Sequence, residues 1–107
     1  MSTIDHVRRN REVWDDWAKD YVDQGRRAWT LDEQTWGIWH IPESTIGVVP
    51  DVAGKDVVEL GCGTAYWSAW FARRGARPVG IDNSAAQLAT ARDLQRVHGP
   101  IFPLVQI

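Results

Sequence analysis

Apolar side chains in the first part of the chain recur at the spacing of an amphipathic helix. In the range Asp5–Asp23 they stand three or four residues apart with charged residues between them, at Val7, Val13, Trp14, Trp17, Ala18, Tyr21 and Val22. Side chains at this spacing share one face of an α-helix, so the pattern predicts a helix over this range. Gly25 follows the last apolar position and is expected to end that helix.

Two further signals organise the segment between this helix and the first predicted strand. Thr30 and Glu33 form a capping-box pair, with a hydroxyl at the cap and a carboxylate at the third helical position, which predicts a short helix that carries Trp36. Residues 50–55 are rich in turn-forming residues and predict a connector. We therefore predict that residues 1–54 form a helical N-terminal extension and that a second unit comprises residues 55–107.

After the connector, short apolar runs alternate with amphipathic segments. Strands are predicted at residues 56–60, 77–82 and 102–107, and helices at residues 65–74 and 84–98. Strands that alternate with helices in this way predict βαβ units and a parallel sheet. The predicted fold class is therefore α/β, a βαβαβ half of a doubly wound sheet with strand order 3-2-1.

The second helix of this unit is expected to bury one apolar stripe. A capping-box pair, Ser84 and Gln87, predicts its start, Gly99 is expected to end it, and the inward side chains are predicted to be Leu88, Ala91, Leu94 and Val97. Pro103 has no backbone N–H to donate, which places the third strand at a sheet edge or after a bulge. In the predicted strand order the first strand keeps an unpaired apolar edge, through which self-association is expected.

The ends of the first two predicted strands carry the candidate chemistry. Gly61 and Gly63 follow the first strand, and glycine allows a turn with positive φ and a close approach of a ligand to the main chain. A helix N-terminus comes next, and its free N–H groups favour a carboxylate or phosphate over the turn. Asp82 ends the second strand, where a carboxylate can accept hydrogen bonds from a ribose diol. The pattern predicts a nucleotide-cofactor site.

Composition narrows the function classes. A formal net charge of −2 over 107 residues argues against a nucleic-acid partner. Cys62 is the only cysteine, so no internal disulfide forms, and the three histidines are too scattered to suggest a metal site with it. No apolar run approaches the ~18 residues of a membrane span, and no signal-peptide core follows the charged start. We therefore expect a cytoplasmic protein with no membrane partner.

The segments Val57–Thr64 and Val79–Asn83 resemble the class I S-adenosylmethionine-dependent methyltransferases. In that family the first strand ends in an acid, one further residue and a glycine loop, as Glu59-Leu60-Gly61-Cys62-Gly63 does here. The next strand of the family ends in the acid that holds the ribose, which by position is Asp82. The resemblance implies a Rossmann-like fold, S-adenosyl-L-methionine as the cofactor and methyl transfer as the reaction.

The resemblance also implies which residues bind the cofactor. They are the strand-end acid, the loop, the ribose acid, its neighbour on the adenine side and a tyrosine of the N-terminal segment: Glu59, Gly61, Cys62, Gly63, Asp82, Asn83 and Tyr21. The segment Trp14–Tyr21 is similar to the part of the family that folds over the cofactor, so residues 1–54 are expected to act as a lid. Cys62 is expected to contribute its backbone and not a reactive thiol. A small-molecule acceptor is expected, and no catalytic residue is assigned.

The sequence departs from the family pattern at two places. Ala65 stands where many relatives have a third glycine, and a small residue is expected to be tolerated there. The sequence stops at Gln106-Ile107, before the acid that follows the third strand in the family and before the fourth strand. We therefore expect the chain to be the N-terminal portion of a longer enzyme.

Two other functions stay open on the sequence alone. A nicotinamide-dependent oxidoreductase uses a similar fold, but its full fingerprint has glycine at the sixth loop position, where Tyr66 stands. A non-catalytic remnant of a methyltransferase would bind only the cofactor or a partner. For Trp29, Trp36 and Trp39, packing in the core and a binding role, either on the cofactor or in an acceptor pocket, are about equally expected.

Overall fold

The N-terminal segment is helical, as predicted, but its helices end at different residues. The computed structural model describes residues 3–107. This part contains α1 (Thr3–Ala18), a 3-10 turn (Lys19–Tyr21) and α2 (Val22–Trp29). The prediction that Gly25 ends the helix was wrong, because α2 continues through it. Gly25 is needed for packing, since a Cβ at this position would lie 2.8 Å from the hydroxyl oxygen of Thr64.

The segment after α2 forms a small hairpin in place of the predicted helix. Its elements are β1 (Thr35–Trp36) and β2 (Ile41–Pro42), which pair antiparallel, and α3 (Glu43–Ile46). Thr30 ends α2, and its hydroxyl donates to the Arg27 carbonyl at 2.8 Å. The Glu33 carboxylate accepts from the backbone N–H of Ser44, at 2.5 Å. Both halves of the predicted capping box therefore have other partners, and the helix prediction was wrong.

The second half of the chain forms the predicted parallel sheet. Its elements are β3 (Asp56–Leu60), α4 (Tyr66–Arg73), β4 (Arg77–Asp82), α5 (Ala85–His98) and β5 (Leu104–Gln106). The strand order is β3-β4-β5, with Val58 opposite Val79 and Ile81 opposite Val105. The predicted α/β class and strand order are confirmed. β5 is shorter than predicted and begins after Pro103, whose carbonyl accepts from the Gly80 N–H at 3.0 Å.

Both crossover helices pack on the same side of the sheet. Right-handed crossovers from β3 to β4 and from β4 to β5 step in the same direction, which places α4 and α5 together. With α2 they enclose the core, formed by Trp29, Cys62, Ala65, Ala69, Leu88, Ala91, Leu94 and Phe102. The prediction that Val97 points inward was wrong, since its side chain is 73% exposed. Val97 follows Leu88 by about two and a half helical turns, which brings it to the opposite side of α5.

Within residues 3–107, no helix covers the other side of the sheet. Apolar side chains that alternate with the helix-facing residues project there, and the parallel register aligns them across the strands. We call this side the open face; its exposed residues are Val58, Leu60, Val105 and Ile107. We call the side under α4 and α5 the helix face. In the part of the chain that the structure describes, no helix has the length and hydropathy needed to cross a membrane.

Candidate functional site

The loop that follows β3, residues 61–65, has an unusual backbone. Positive φ values of +67°, +56° and +63° occur at Gly61, Gly63 and Ala65. A Cβ on Gly61 would meet no atom within 4 Å, so glycine is favoured there by the backbone conformation and not by lack of space. The loop is anchored to the neighbouring strand, because the Cys62 N–H donates to the Ile81 carbonyl at 2.9 Å.

Ala65 is the third residue of this loop with a left-handed backbone. Its φ of +63° is left-handed, and its side chain is fully buried in the core cluster. An L-residue in this conformation is strained by roughly 1–2 kcal/mol, which glycine would avoid. The small methyl group fits the buried space, and its packing offsets part of this strain.

Asp82 joins the end of β4 to the glycine loop. One carboxylate oxygen accepts from the Gly63 N–H at 2.8 Å, and the other accepts from the Ser84 N–H at 2.8 Å. The carboxylate therefore both anchors the loop and starts the turn before α5. Each carboxylate oxygen can accept a further hydrogen bond, so a ligand hydroxyl can be held at the same group.

Glu59 joins the end of β3 to the first turn of α4. Its carboxylate accepts from the Ser68 hydroxyl at 2.6 Å and from the Ser68 N–H at 3.1 Å. Burial raises the pKa of Glu59, and the two hydrogen bonds from Ser68 lower it by less. The negative charge of Asp82 adds to the rise. Glu59 thus carries a partly buried carboxyl beside the loop.

Cys62 is a packing residue of the loop. Its side chain is buried, and a Cβ on Gly80 would lie 3.0 Å from its sulfur atom. Burial, followed by the charges of Glu59 and Asp82, raises the pKa of the Cys62 thiol to about 12. The thiol is therefore protonated at neutral pH and is not a nucleophile. Among residues 3–107, no group of three or more His, Cys, Asp or Glu side chains could hold a metal ion.

The N-terminal segment lies against the same end of the sheet. Asp15 of α1 accepts from the Ser84 hydroxyl at 2.5 Å and from the Ala86 N–H at 3.3 Å, at the start of α5. Trp29 of α2 donates its ring N–H to the Thr64 carbonyl at 2.7 Å. Trp14 and Tyr21 lie over the loop with ring centroids 6.3 Å apart. These contacts fix the N-terminal helices over the glycine loop.

Two adjoining cavities lie between these helices and the sheet. One, of about 450 Å³, is lined by Asp82, Asn83 and Ile107 among others. The second, of about 250 Å³, is lined by Tyr21, Glu59 and Cys62 among others. The two cavities share four lining residues, Trp14, Gly61, Gly63 and Gln87. All seven residues predicted to bind a cofactor thus line one cavity or the other.

Asp15, Asn10 and Gln87 are among the residues of this site that were not predicted from the sequence. Asp15 caps α5 from a distant part of the chain, and Asn10 and Gln87 line the cavities. Gln87 belonged to a recognised capping pair, but nothing in the sequence showed that its side chain would face a cavity. Trp29, Trp36 and Trp39 line neither of these two cavities. Trp29 is buried, Trp36 packs on Trp67 with centroids 4.6 Å apart, and Trp39 is exposed.

The second half of the chain is similar to known proteins. Residues 57–106 match the family described as "Methyltransferase domain". The chain is 34% identical over 78 residues to a ubiquinone biosynthesis O-methyltransferase from Hahella chejuensis, covering 70% of this chain and 33% of that protein. It is 35% identical over 98 residues to the methyltransferase GfsG of Streptomyces halstedii, covering 75% of this chain and 35% of that protein. The chain thus spans about a third of the length of these relatives.

Solved structures show the same fold. A Listeria monocytogenes protein described as an S-adenosylmethionine-dependent methyltransferase superposes with a TM-score of 0.51 at 29% identity, over 61% of this chain and 30% of that one. A Haemonchus contortus phosphoethanolamine N-methyltransferase superposes with a TM-score of 0.55 at 15% identity, over 91% of this chain and 21% of that one. The second likeness reaches beyond the sheet and includes most of the N-terminal helices.

Proposed function

Because residues 57–106 match a methyltransferase-domain family, we propose that this chain is part of a class I S-adenosylmethionine-dependent methyltransferase and binds S-adenosyl-L-methionine in the two cavities beside the glycine loop. The observation that carries the proposal is the hydrogen bond that the Gly63 N–H donates to the Asp82 carboxylate, at 2.8 Å. It brings together the ribose-binding acid and the loop over which the rest of the cofactor would lie. We keep Tyr21, Glu59, Cys62 and Asn83 as further cofactor contacts.

The residues of this chain would hold and orient the cofactor. Asp82 and Asn83 would bind the adenosine part, and the loop and Tyr21 would enclose the part that carries sulfur. The bound cofactor supplies an activated methyl group, so the chain's main tasks are to fix its orientation and to exclude water. The helices of residues 3–29 would act as the lid, and no residue of this chain is assigned as a base.

Titration calorimetry with S-adenosylhomocysteine and, separately, with NAD tests this proposal. We expect binding of the first and much weaker binding of the second. Asp82→Ala should weaken S-adenosylhomocysteine binding about tenfold or more, because a charge-assisted pair of hydrogen bonds is lost. Asp56→Ala is the matched control, since Asp56 pairs with Arg77 at the other end of the sheet. Tighter binding of NAD, or equal affinities for the two variants, would contradict the proposal.

We further propose a small-molecule acceptor next to the cofactor. A third cavity of about 740 Å³ lies between α2 and the hairpin and shares Gln24 and Tyr66 with the smaller loop cavity. Its lining includes Arg27, His40 and Thr35 and no carboxylate. Acceptor candidates titrated into the complex with S-adenosylhomocysteine should shift the backbone amide NMR signals of Thr35 and His40. Shifts confined to the glycine loop would contradict this position.

We also propose that the chain self-associates through β3. Its outer edge is unpaired within residues 3–107, and its Val58 and Leu60 side chains are exposed on the open face. An apolar strand with free backbone donors and acceptors pairs readily with another strand. A second copy of the chain would supply such a strand.

A further inference from the structure

Gln87 has a buried side chain with an unused acceptor. The residue is 5% exposed, and its side-chain carbonyl oxygen has no hydrogen-bond partner among the described residues. Nearly all buried side-chain acceptors in folded proteins are paired, because water is lost without replacement when they are not. The free oxygen of Gln87 therefore indicates a partner other than the chain itself.

The capping arrangement explains why this oxygen is free. In a full capping box, the Gln87 side chain would accept from the backbone N–H of Ser84. Half of the box is present, since the Gln87 N–H donates to the Ser84 hydroxyl at 3.2 Å. The other half is replaced, since the Ser84 N–H donates to Asp82 at 2.8 Å. Asp82 thus takes the acceptor position, and the Gln87 side chain is released from it.

The released side chain lies at the junction of the two loop cavities. Gln87 lines both of them, and its side-chain amide lies 3.9 Å from the position of a Cβ on Gly63. Gly63 is also the residue to which Asp82 is bonded. A ligand that extends from one cavity into the other is therefore expected to pass along Gln87 and Gly63, close to Asp82.

We infer that the Gln87 side-chain oxygen accepts a hydrogen bond from the cofactor, donated by a ribose hydroxyl next to the Asp82 carboxylate. This inference rests on the proposed function. The ribose joins the adenine to the sulfur-bearing chain, so it is the part of the cofactor expected where the cavities meet. Gln87 would add a second acceptor beside Asp82, both of whose oxygens already accept one backbone N–H.

The test compares Gln87→Met with Gln95→Met, because the chain offers a matched pair. Both glutamines are buried on α5, but the Gln95 amide donates to the Phe102 carbonyl at 2.9 Å. Methionine keeps the length of glutamine and makes no comparable hydrogen bond. Gln87→Met should weaken S-adenosylhomocysteine binding about tenfold by calorimetry, yet raise the melting temperature of the free chain. Gln95→Met should lower the melting temperature and leave the affinity unchanged.

Analogues of S-adenosylhomocysteine that lack the 2′- or the 3′-hydroxyl identify the donor. One of these analogues should bind the wild-type chain about tenfold more weakly than S-adenosylhomocysteine does. Gln87→Met should bind that analogue and S-adenosylhomocysteine with the same affinity, because the acceptor for the missing hydroxyl is already absent. Unchanged affinity in Gln87→Met, or a melting temperature that falls as in Gln95→Met, would overturn the inference. If the wild-type chain binds no S-adenosylhomocysteine, the proposed function fails first and the inference fails with it. Binding that is equal in wild type and Gln87→Met removes the inference alone.

Discussion

Both faces of the sheet carry apolar side chains, but helices cover one face and not the other. On the helix face, Leu104 packs against Gly80 and the core cluster, and Leu88 of α5 is completely buried. On the open face, Leu60 is 78% exposed. The open face is the more apolar of the two, since the helix-face positions include Glu59, Gly80 and Gln106, so hydrophobicity does not decide which side is covered. Chain order decides it, because successive right-handed crossovers place both helices on one side.

The site lies at the carboxyl end of the strands, between these two faces. Helices α1 and α2 reach it from the helix face through Asp15 and Trp29. Leu60, Ile81 and Ile107 line the larger of the two cavities beside the glycine loop. They belong to the side of the sheet that α4 and α5 do not cover. One part of the cavity wall is thus fixed by packing, and another part consists of side chains that α4 and α5 do not cover.

The largest expected effect compares a leucine on each side. Leu88→Ala should lower the free energy of unfolding by about 3 kcal/mol, because it leaves a cavity in the close-packed core. Leu60→Ala should lower it by less than about 0.5 kcal/mol, because its side chain is already in water. Denaturant unfolding of both variants measures the difference. Equal losses would mean that the open face is covered in solution.

The second comparison lies within the helix face and separates packing from backbone conformation. Ala69 and Ala65 are both fully buried, but only Ala65 has a positive φ. Ala69→Gly should cost about 2 kcal/mol, through the lost methyl group and the lower helix propensity of glycine. Ala65→Gly should change stability by less than about 0.5 kcal/mol, because relief of the left-handed strain offsets the lost methyl group. A loss at Ala65 as large as that at Ala69 would show that the loop is not strained.

A smaller effect on stability is expected from Glu59, whose carboxyl group is partly buried on the helix face. Burial raises the pKa of Glu59 above its ordinary value of 4.5, so the folded chain binds a proton at a pH where the unfolded chain has released it. Stability should therefore fall as the pH rises from 4.5 through the raised pKa of Glu59, and stay constant above it. Glu59→Gln should flatten this fall in unfolding experiments across that range. A slope that is the same in both proteins would assign the pH dependence to other groups.

The smallest effect on the stability of the single chain is expected at the strand edge. Leu60→Lys places a charge on the exposed end of β3 and should leave the unfolding free energy nearly unchanged. It should, however, reduce the self-association measured by sedimentation velocity. Val97→Lys, on the exposed side of α5, makes the same change in net charge and is the control. Sedimentation of the wild-type chain as a monomer at all concentrations would remove the proposed role of this edge.

The elements that were predicted correctly have local causes. The strands at β3 and β4, the start of α5 at Ser84 and the order of the sheet follow from hydrophobic alternation, a capping residue and the handedness of crossovers. The wrong predictions have different causes. Gly25 packs against Thr64 and Glu33 accepts from Ser44, contacts that no local pattern shows. Val97 lies opposite Leu88 on α5 by helical geometry alone, so its exposure could have been read from the spacing.

The same division applies to the site. The glycine loop and Asp82 could be identified from the sequence because each lies at the end of a strand, where parallel strands bring their carboxyl ends together. Contact of the seven predicted residues with a cofactor stays a prediction. Asp15 and Gln87 could not be placed in this way, since their positions depend on how α1 docks on α5 and on which acceptor the Ser84 N–H takes.

By itself, the sequence determined the strands, the glycine loop, the distant acid and, through them, the resemblance to methyltransferases. These features depend on residues near one another in the chain and on the fixed geometry of a strand followed by a helix. Only the tertiary structure decided that one face of the sheet stays open, that Ala65 is left-handed and that Gln87 has a free acceptor. Those outcomes depend on how the elements pack and on which of several acceptors takes a given N–H, which the pattern of apolar and polar positions does not record.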